Sequence, residues 1–123
     1  MKHPKPHRPE RLAALIHEEL ALALTTLIKD PRVGFVTITQ VHVTPDGKHA
    51  TVSVSVLGEE EEKQRAMDGL AHARGFLRTR LADALSVRTI PELQFELDRG
   101  LEHARRIDEL LAQARRDPED GSD

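Results

Sequence analysis

The feature that most constrains the fold is a long stretch, residues 66–85, whose apolar side chains recur at helical spacing. Steps of three and four residues place them on one helical face: Met67, Leu70, Leu77, Leu81 and Leu85. Gly75 interrupts this stretch, and a glycine costs a helix interior about 1 kcal/mol relative to alanine. The stretch therefore predicts a helix-kink-helix, with the kink or break at Ala73-Arg74-Gly75.

The same junction combines small residues with positive charge. Arg74, Arg78 and Arg80 surround or follow Gly75, and a broken helix would leave backbone donors free beside them. Such a combination favours contact with phosphate groups. The alternative is an ordinary amphipathic helix with a tolerated glycine and solvated arginines.

Three strands are predicted from alternating β-branched and polar residues. In the first, Val36 and Ile38 alternate with threonines, but Val41 and Val43 follow on the opposite parity, which predicts a bulge near Gln40. The Pro-Asp-Gly-Lys turn at residues 45–48 leads to a second strand that ends at Val56, so these two strands form a hairpin. A third strand follows Pro91.

The remaining segments predict helices. The first begins near Pro9 and ends before Pro31, the acidic residues 59–62 mark the start of the long helix, and the last runs from about Gly100 to Arg116. The apolar side of that last helix comprises Leu101, Ala104, Ile107, Leu111 and Ala114. The order predicts an α+β fold with a three-stranded sheet covered by helices on one face.

Length and composition indicate one domain, since 123 residues that are 38% apolar suffice for a single core. We expect the domain at residues 9–116, between a flexible basic arm at 1–8 and a disordered acidic tail at 117–123. The absence of cysteine agrees with a reducing compartment. No apolar run approaches a membrane span or a signal peptide, so we expect a cytoplasmic protein with no membrane partner.

The net charge of −3 argues against a uniformly basic nucleic-acid binder, but the charge is unevenly distributed. Residues 59–62 and the tail hold eight acidic residues, so the rest of the chain carries a net +5. Basic residues cluster in two groups, which are Lys2, Lys5, Arg8 and Arg11 at the start and Arg74, Arg78, Arg80 and Arg88 later. A polarised molecule with one face suited to a polyanion is the prediction.

No catalytic constellation is present. His17-Glu18-Glu19 begins like a metalloprotease signature, but Ala21 stands where the second histidine is required. The serines lack the glycine-flanked setting of a nucleophile elbow, and no glycine-rich nucleotide loop occurs. We therefore expect neither an enzyme, nor a metal site, nor a cofactor.

The order of elements, with a glycine at the helix junction, resembles a type II KH domain, in which two helices and their connecting loop hold a nucleic-acid backbone. A more specific resemblance rests on segments that follow one another along the chain: RPERL at residues 8–12, EL at 19–20, DPRV at 30–33, VTITQV at 36–41, VSVL at 54–57, ARGFLR at 73–78, IPELQF at 90–95 and RIDELL at 106–111. In these segments the chain resembles the ribosome-binding factor A family. The Ala-x-Gly at residues 73–75 is that family's variant of the KH Gly-x-x-Gly.

This resemblance implies a non-enzymatic factor that binds the free 30S ribosomal subunit, supports maturation of the 5′ end of 16S rRNA and matters most for growth in the cold. It implies RNA contacts at Ala73, Arg74, Gly75 and Arg78. Charge clustering alone adds Arg80, Arg88, Arg8, Arg11, Lys2 and Lys5. We expect the factor to act as a monomer.

Three alternatives remain at this point. A generic KH-like module would bind a different RNA. A small metal-dependent hydrolase would use the scattered histidines, and a protein-interaction domain would bind no RNA at all.

Overall fold

The computed structural model describes residues 8–116 and, within that range, all side chains except those of residues 101–105 and 116. The helices are α1 (Pro9–Thr26), a short 3-10 helix (Pro31–Val33), α2 (Glu60–Ala84) and α3 (Gly100–Arg116). The strands are β1 (Val36–Val43), β2 (His49–Val56) and β3 (Glu92–Leu97). The predicted arm, apart from Arg8, and the predicted acidic tail lie outside the described residues.

The three strands form one sheet in the order β1-β2-β3, in which β2 is antiparallel to β1 and parallel to β3. The pairing of β1 with β2 shifts register between Ile38 and Gln40, which leaves Thr39 as the extra residue. This confirms the bulge predicted near Gln40. Because of the bulge, Ile38 and Val43 are both buried although they lie on opposite parities of the strand.

The core lies between one face of this sheet and the helices α1 and α2, as predicted. Burial alternates along β2, so its apolar residues are buried while the threonine and serines between them are not. The fully buried large side chains come mainly from both helices and the central strand: Ile16, Leu20, Leu70, Leu77, Leu81, Val52 and Val54.

The long helix α2 is continuous, so of the kink or break predicted at Ala73-Arg74-Gly75, the break into two helices is wrong. The backbone is α-helical from Glu60 to Ala84, through Gly75. Leu70 lies before the glycine and Leu77 after it, and both are fully buried on the same face. Packing on both sides therefore offsets a helix penalty of about 1 kcal/mol at one exposed glycine.

A second glycine of α2 has a packing role that the sequence analysis did not identify. A Cβ at Gly69 would lie 3.0 Å from Val33 Cγ1 and 3.2 Å from Arg32 Cβ. These atoms belong to the short 3-10 helix, which packs against α2 at this point. Gly69 thus permits the two helices to approach closely.

The carboxylates of Glu60 and Asp98 hold the start of α3 in place through hydrogen bonds. The two terminal nitrogens of Arg99 each donate a 2.7 Å hydrogen bond to the carboxylate of Glu60 at the start of α2. Asp98 Oδ1 accepts a 2.8 Å hydrogen bond from the backbone N–H of Gly100. Farther along, Ile107 and Leu111 of the predicted apolar side of α3 are 56% and 50% exposed.

Candidate nucleic-acid interface

An open groove of about 510 Å³ lies between the second half of α2 and the segment that leads to β3. One wall is a single face of α2, formed by residues at steps of three and four: Gly75, Arg78, Thr79 and Ala82. The other wall comprises Arg88, Thr89 and Ile90. Three residues singled out from the sequence, Gly75, Arg78 and Arg88, therefore meet at one concave surface.

Gly75 lies on the outer side of α2, within this groove. A Cβ placed on Gly75 would meet no atom within 4 Å, so no neighbour in the described structure requires a glycine there. The residue nevertheless lowers the stability of the helix by about 1 kcal/mol relative to alanine. What the glycine does provide is backbone that a ligand can approach without meeting a side chain.

Arg78 holds the two walls of the groove together. Its Nη2 atom donates a 3.0 Å hydrogen bond to the backbone carbonyl oxygen of Ile90. The other guanidinium N–H groups of Arg78 remain available, since the side chain is exposed. Arg78 is therefore a positioning residue for the wall as well as a candidate ligand contact.

Two arginines, Arg78 and Arg88, line the groove, and Arg74 directly precedes its lining residue Gly75. Among the side chains that the structure describes, no carboxylate forms an ion pair with Arg74, Arg78 or Arg88. Arg74 and Arg88 are exposed, and Arg74 precedes Arg78 by four residues on the same side of α2. Exposed guanidinium groups without carboxylate partners suit a phosphate backbone.

The acidic residues 59–62 lie at the far end of α2. Glu60 and Gly75 are 15 positions apart, so roughly 22 Å of helix separates them at 1.5 Å per residue. Glu62 accepts a hydrogen bond from the Glu59 backbone N–H, as in a capping box, which confirms that this run starts a helix. The negative charge of residues 59–62 is thus remote from the groove.

Other predicted residues lie elsewhere. Arg80 is two residues from Arg78, which places it on a different side of α2, and Ala73 is half-buried against the core. Arg8 and Arg11 are exposed at the start of α1, and no described contact joins them to the groove. Lys2 and Lys5 lie outside the described residues.

Four lining residues were missed in the sequence analysis: Thr79, Ala82, Thr89 and Ile90. Helical spacing could have identified the first two, because they follow Gly75 by four and seven residues on an unbroken helix. The other two depend on how the segment before β3 folds back along α2, which local sequence does not specify.

Within residues 8–116, no group of three or more histidine or acidic side chains that the structure describes is arranged to hold a metal ion. None of the helices there is both long enough and apolar enough to cross a bilayer.

Comparison with known proteins identifies the family. A family model described as ribosome-binding factor A matches residues 8–111. A ribosome-binding factor A of Thermomicrobium roseum is 45% identical over 107 residues, which cover 87% of this chain and 83% of that protein. The chain belongs to the ribosome-binding factor A family.

Solved structures of ribosome-binding factor A share the fold. The crystal structure of the Thermus thermophilus protein matches with a TM-score of 0.67 and 29% identity, covering 75% of this chain and 97% of that one. The NMR structure of a Thermotoga maritima protein described as a putative ribosome binding factor A matches with a TM-score of 0.66 and 38% identity, covering 74% and 87%. The predicted KH-like α+β fold is thereby confirmed.

A third match concerns a complex. It is a homology model of the Thermus thermophilus ribosome binding factor A, fitted into the cryo-EM map of a complex with the 30S particle. The match has a TM-score of 0.59 and 30% identity, and it covers 70% of this chain and 90% of that one.

Proposed function

We propose that this protein binds the 30S ribosomal subunit and that the groove beside Gly75 contacts 16S rRNA. Membership of the ribosome-binding factor A family supports a role on the ribosome. The 30S complex of the Thermus thermophilus relative supports the small subunit as the partner.

The main observation that supports an RNA contact at the groove is the environment of Gly75. It lies in the middle of a helix, costs stability and has open space where its side chain would be. Arg78 and Arg88 line the same groove. Bare backbone flanked by guanidinium groups is the arrangement that accommodates a sugar-phosphate chain at close range.

The groove favours recognition of the RNA backbone over recognition of bases. No aromatic side chain is among its lining residues, so bases cannot stack there on an aromatic platform. Arg88 and Arg74 would neutralise phosphates, and Arg78 would do so while holding the wall through Ile90. Selectivity would then come mostly from the shape of the folded RNA.

The proposal extends to the cellular role. The protein acts as a monomeric, non-enzymatic assembly factor in the cytoplasm, supports maturation of the 5′ end of 16S rRNA and is needed most in the cold. Residues 9–116 form the RNA-binding domain. Lys2, Lys5, Arg8, Arg11 and Arg80 supply further, weaker contacts.

Sedimentation through a sucrose gradient with separated 30S, 50S and 70S particles tests the proposal. The wild-type protein is expected to migrate with free 30S, and the Arg74→Gln/Arg88→Gln variant to remain largely at the top. Arg106→Gln/Arg115→Gln removes two exposed arginines of α3 and is the matched control, which should migrate like wild type. Equal migration of both double variants with 30S would exclude the groove, and recovery of other RNAs in place of 30S would favour a generic KH-like module.

A further inference from the structure

A second recess lies near the other end of α2, and we call it the Phe35 notch. It has a volume of about 220 Å³ and is lined by Pro31, Arg32, Phe35, Val56, Leu57, Glu62 and Arg65. This volume is below the range of pockets that enclose drug-sized ligands, so the notch suits a single ring or side chain.

Strand register explains why two large apolar side chains meet at the notch. Val36 pairs with Val56 at the open end of the β1-β2 hairpin, so Phe35 and Leu57 come one step beyond that pair on the two strands. They are 70% and 72% exposed, the highest values among the large apolar side chains that the structure describes. The Phe35 side chain is therefore largely accessible to solvent.

One guanidinium group at the notch, that of Arg65, has no ion-pair partner among the described carboxylates. Two guanidinium groups and one carboxylate line the notch, and the carboxylate, Glu62, already accepts the Glu59 backbone N–H. Arg32 is bound to Asp30 through Nε and Nη2, which leaves its Nη1 group available.

We propose that the Phe35 notch binds one unpaired nucleobase of the RNA, which stacks on Phe35 while Arg65 contacts its phosphate or its polar edge. This inference rests on the proposed function, because it assigns a second contact to the same RNA. An aromatic ring beside a free guanidinium provides the two interactions that single-stranded nucleotides use. An apolar side chain of a protein would fill the notch but would leave Arg65 without a partner.

The groove and the Phe35 notch would contact different parts of the RNA. Arg65 and Gly75 are ten positions apart on α2, which corresponds to roughly 15 Å along the helix. The groove would hold the sugar-phosphate backbone, and the Phe35 notch would select a site where a base is unstacked. Because both sites lie on the continuous helix α2, the distance between them is fixed by that helix.

A single tryptophan can report on the notch, because the chain contains neither tryptophan nor tyrosine. Fluorescence of a Phe35→Trp variant is measured during titration with protein-free 16S rRNA transcript and, separately, with 30S subunits. We expect quenching by both, since stacked bases quench an indole. Leu22→Trp, at an exposed position of α1, is the control and should change little. No quenching at position 35, or quenching by 30S alone, would overturn the nucleobase assignment, the latter in favour of a ribosomal protein.

Binding affinity supplies an independent readout. Loss of one stacked base lowers affinity by roughly 5- to 150-fold, so Phe35→Ala is expected to weaken 30S binding by a factor in that range. The circular dichroism spectrum of Phe35→Ala should match that of the wild type, since the Phe35 side chain is mostly exposed. If Phe35→Ala binds like wild type while Arg74→Gln/Arg88→Gln does not, the notch proposal fails and the proposed function stands. If neither variant loses affinity, both fail.

Discussion

The hydroxyl of Thr39 donates a 2.7 Å hydrogen bond to Oδ2 of Asp98, which lies 59 positions later in the chain. Thr39 is the bulged residue of β1, and Asp98 directly follows β3. Through its other oxygen, Asp98 accepts the backbone N–H of Gly100 at the start of α3. The bulge on one edge strand is thus joined to the first turn of the last helix, beside the opposite edge strand.

Replacing Thr39 by valine tests this connection. Two hydrogen bonds hold the pKa of Asp98 below its ordinary value. The larger effect comes from the Thr39 hydroxyl, and the smaller from the Gly100 backbone N–H. The Asp98 pKa should therefore rise in Thr39→Val and stay low in Thr39→Ser, which retains the hydroxyl. NMR titration of the carboxyl group measures it, and an unchanged pKa in Thr39→Val would show that the hydrogen bond is not formed in solution.

Gly75→Ala should separate stability from binding. A methyl group there meets no neighbour and improves helix propensity, so the free energy of unfolding should rise by about 1 kcal/mol. The same methyl group would obstruct close approach of an RNA backbone, so 30S affinity should fall. Urea denaturation and a binding titration measure the two effects. A more stable variant with undiminished affinity would show that the RNA does not approach Gly75.

Gly69→Ala should have the opposite effect on stability. Its methyl group would lie 3.0 Å from a side-chain atom of Val33, which is itself buried and cannot easily move aside. Overpacking typically costs about 1–3 kcal/mol, and because Val33 is buried we expect a cost in the upper part of that range, above the helix gain of about 1 kcal/mol. Urea denaturation should show a net loss. Equal stabilisation by the two substitutions would mean that the 3-10 helix is not packed on α2 as described.

Asp30 makes stability depend on pH in acid. Hydrogen bonds from the Arg32 side chain and backbone lower the Asp30 pKa to about 2 from its ordinary 3.8. A lowered pKa in the folded state stabilises the protein above about pH 4, and this contribution is lost as the pH falls through about 2. Thermal unfolding of Asp30→Asn should therefore vary less over this interval than that of the wild type. Parallel curves for the two proteins would refute the pairing.

The elements could be predicted from local pattern because their signals are short-range. The parity slip between Ile38 and Val41 is visible in the sequence, and it marked the bulge that the register confirms. Residues 59–62 likewise marked the start of α2. Each of these signals depends on neighbours within a few positions, where propensity and alternation are decisive.

The errors arose where distant packing decides the outcome. Gly75 favours a break locally, yet Leu70 and Leu77 are buried on either side of it and keep α2 whole. Charge clustering grouped Arg80 with Arg78, although two residues on a continuous helix point to different sides. Periodicity placed Ile107 and Leu111 on one side of α3, but it does not specify a partner surface, and both side chains are about half exposed.

The salt dependence of 30S binding tests most directly whether the groove neutralises RNA phosphates. The affinity of Arg88→Gln and of wild type is measured over a series of salt concentrations, with Arg106→Gln on α3 as the control. Loss of one phosphate contact should reduce the slope of log affinity against log salt by about 0.7–0.9, and the control should keep the wild-type slope. An Arg88→Gln slope equal to that of wild type would contradict the account.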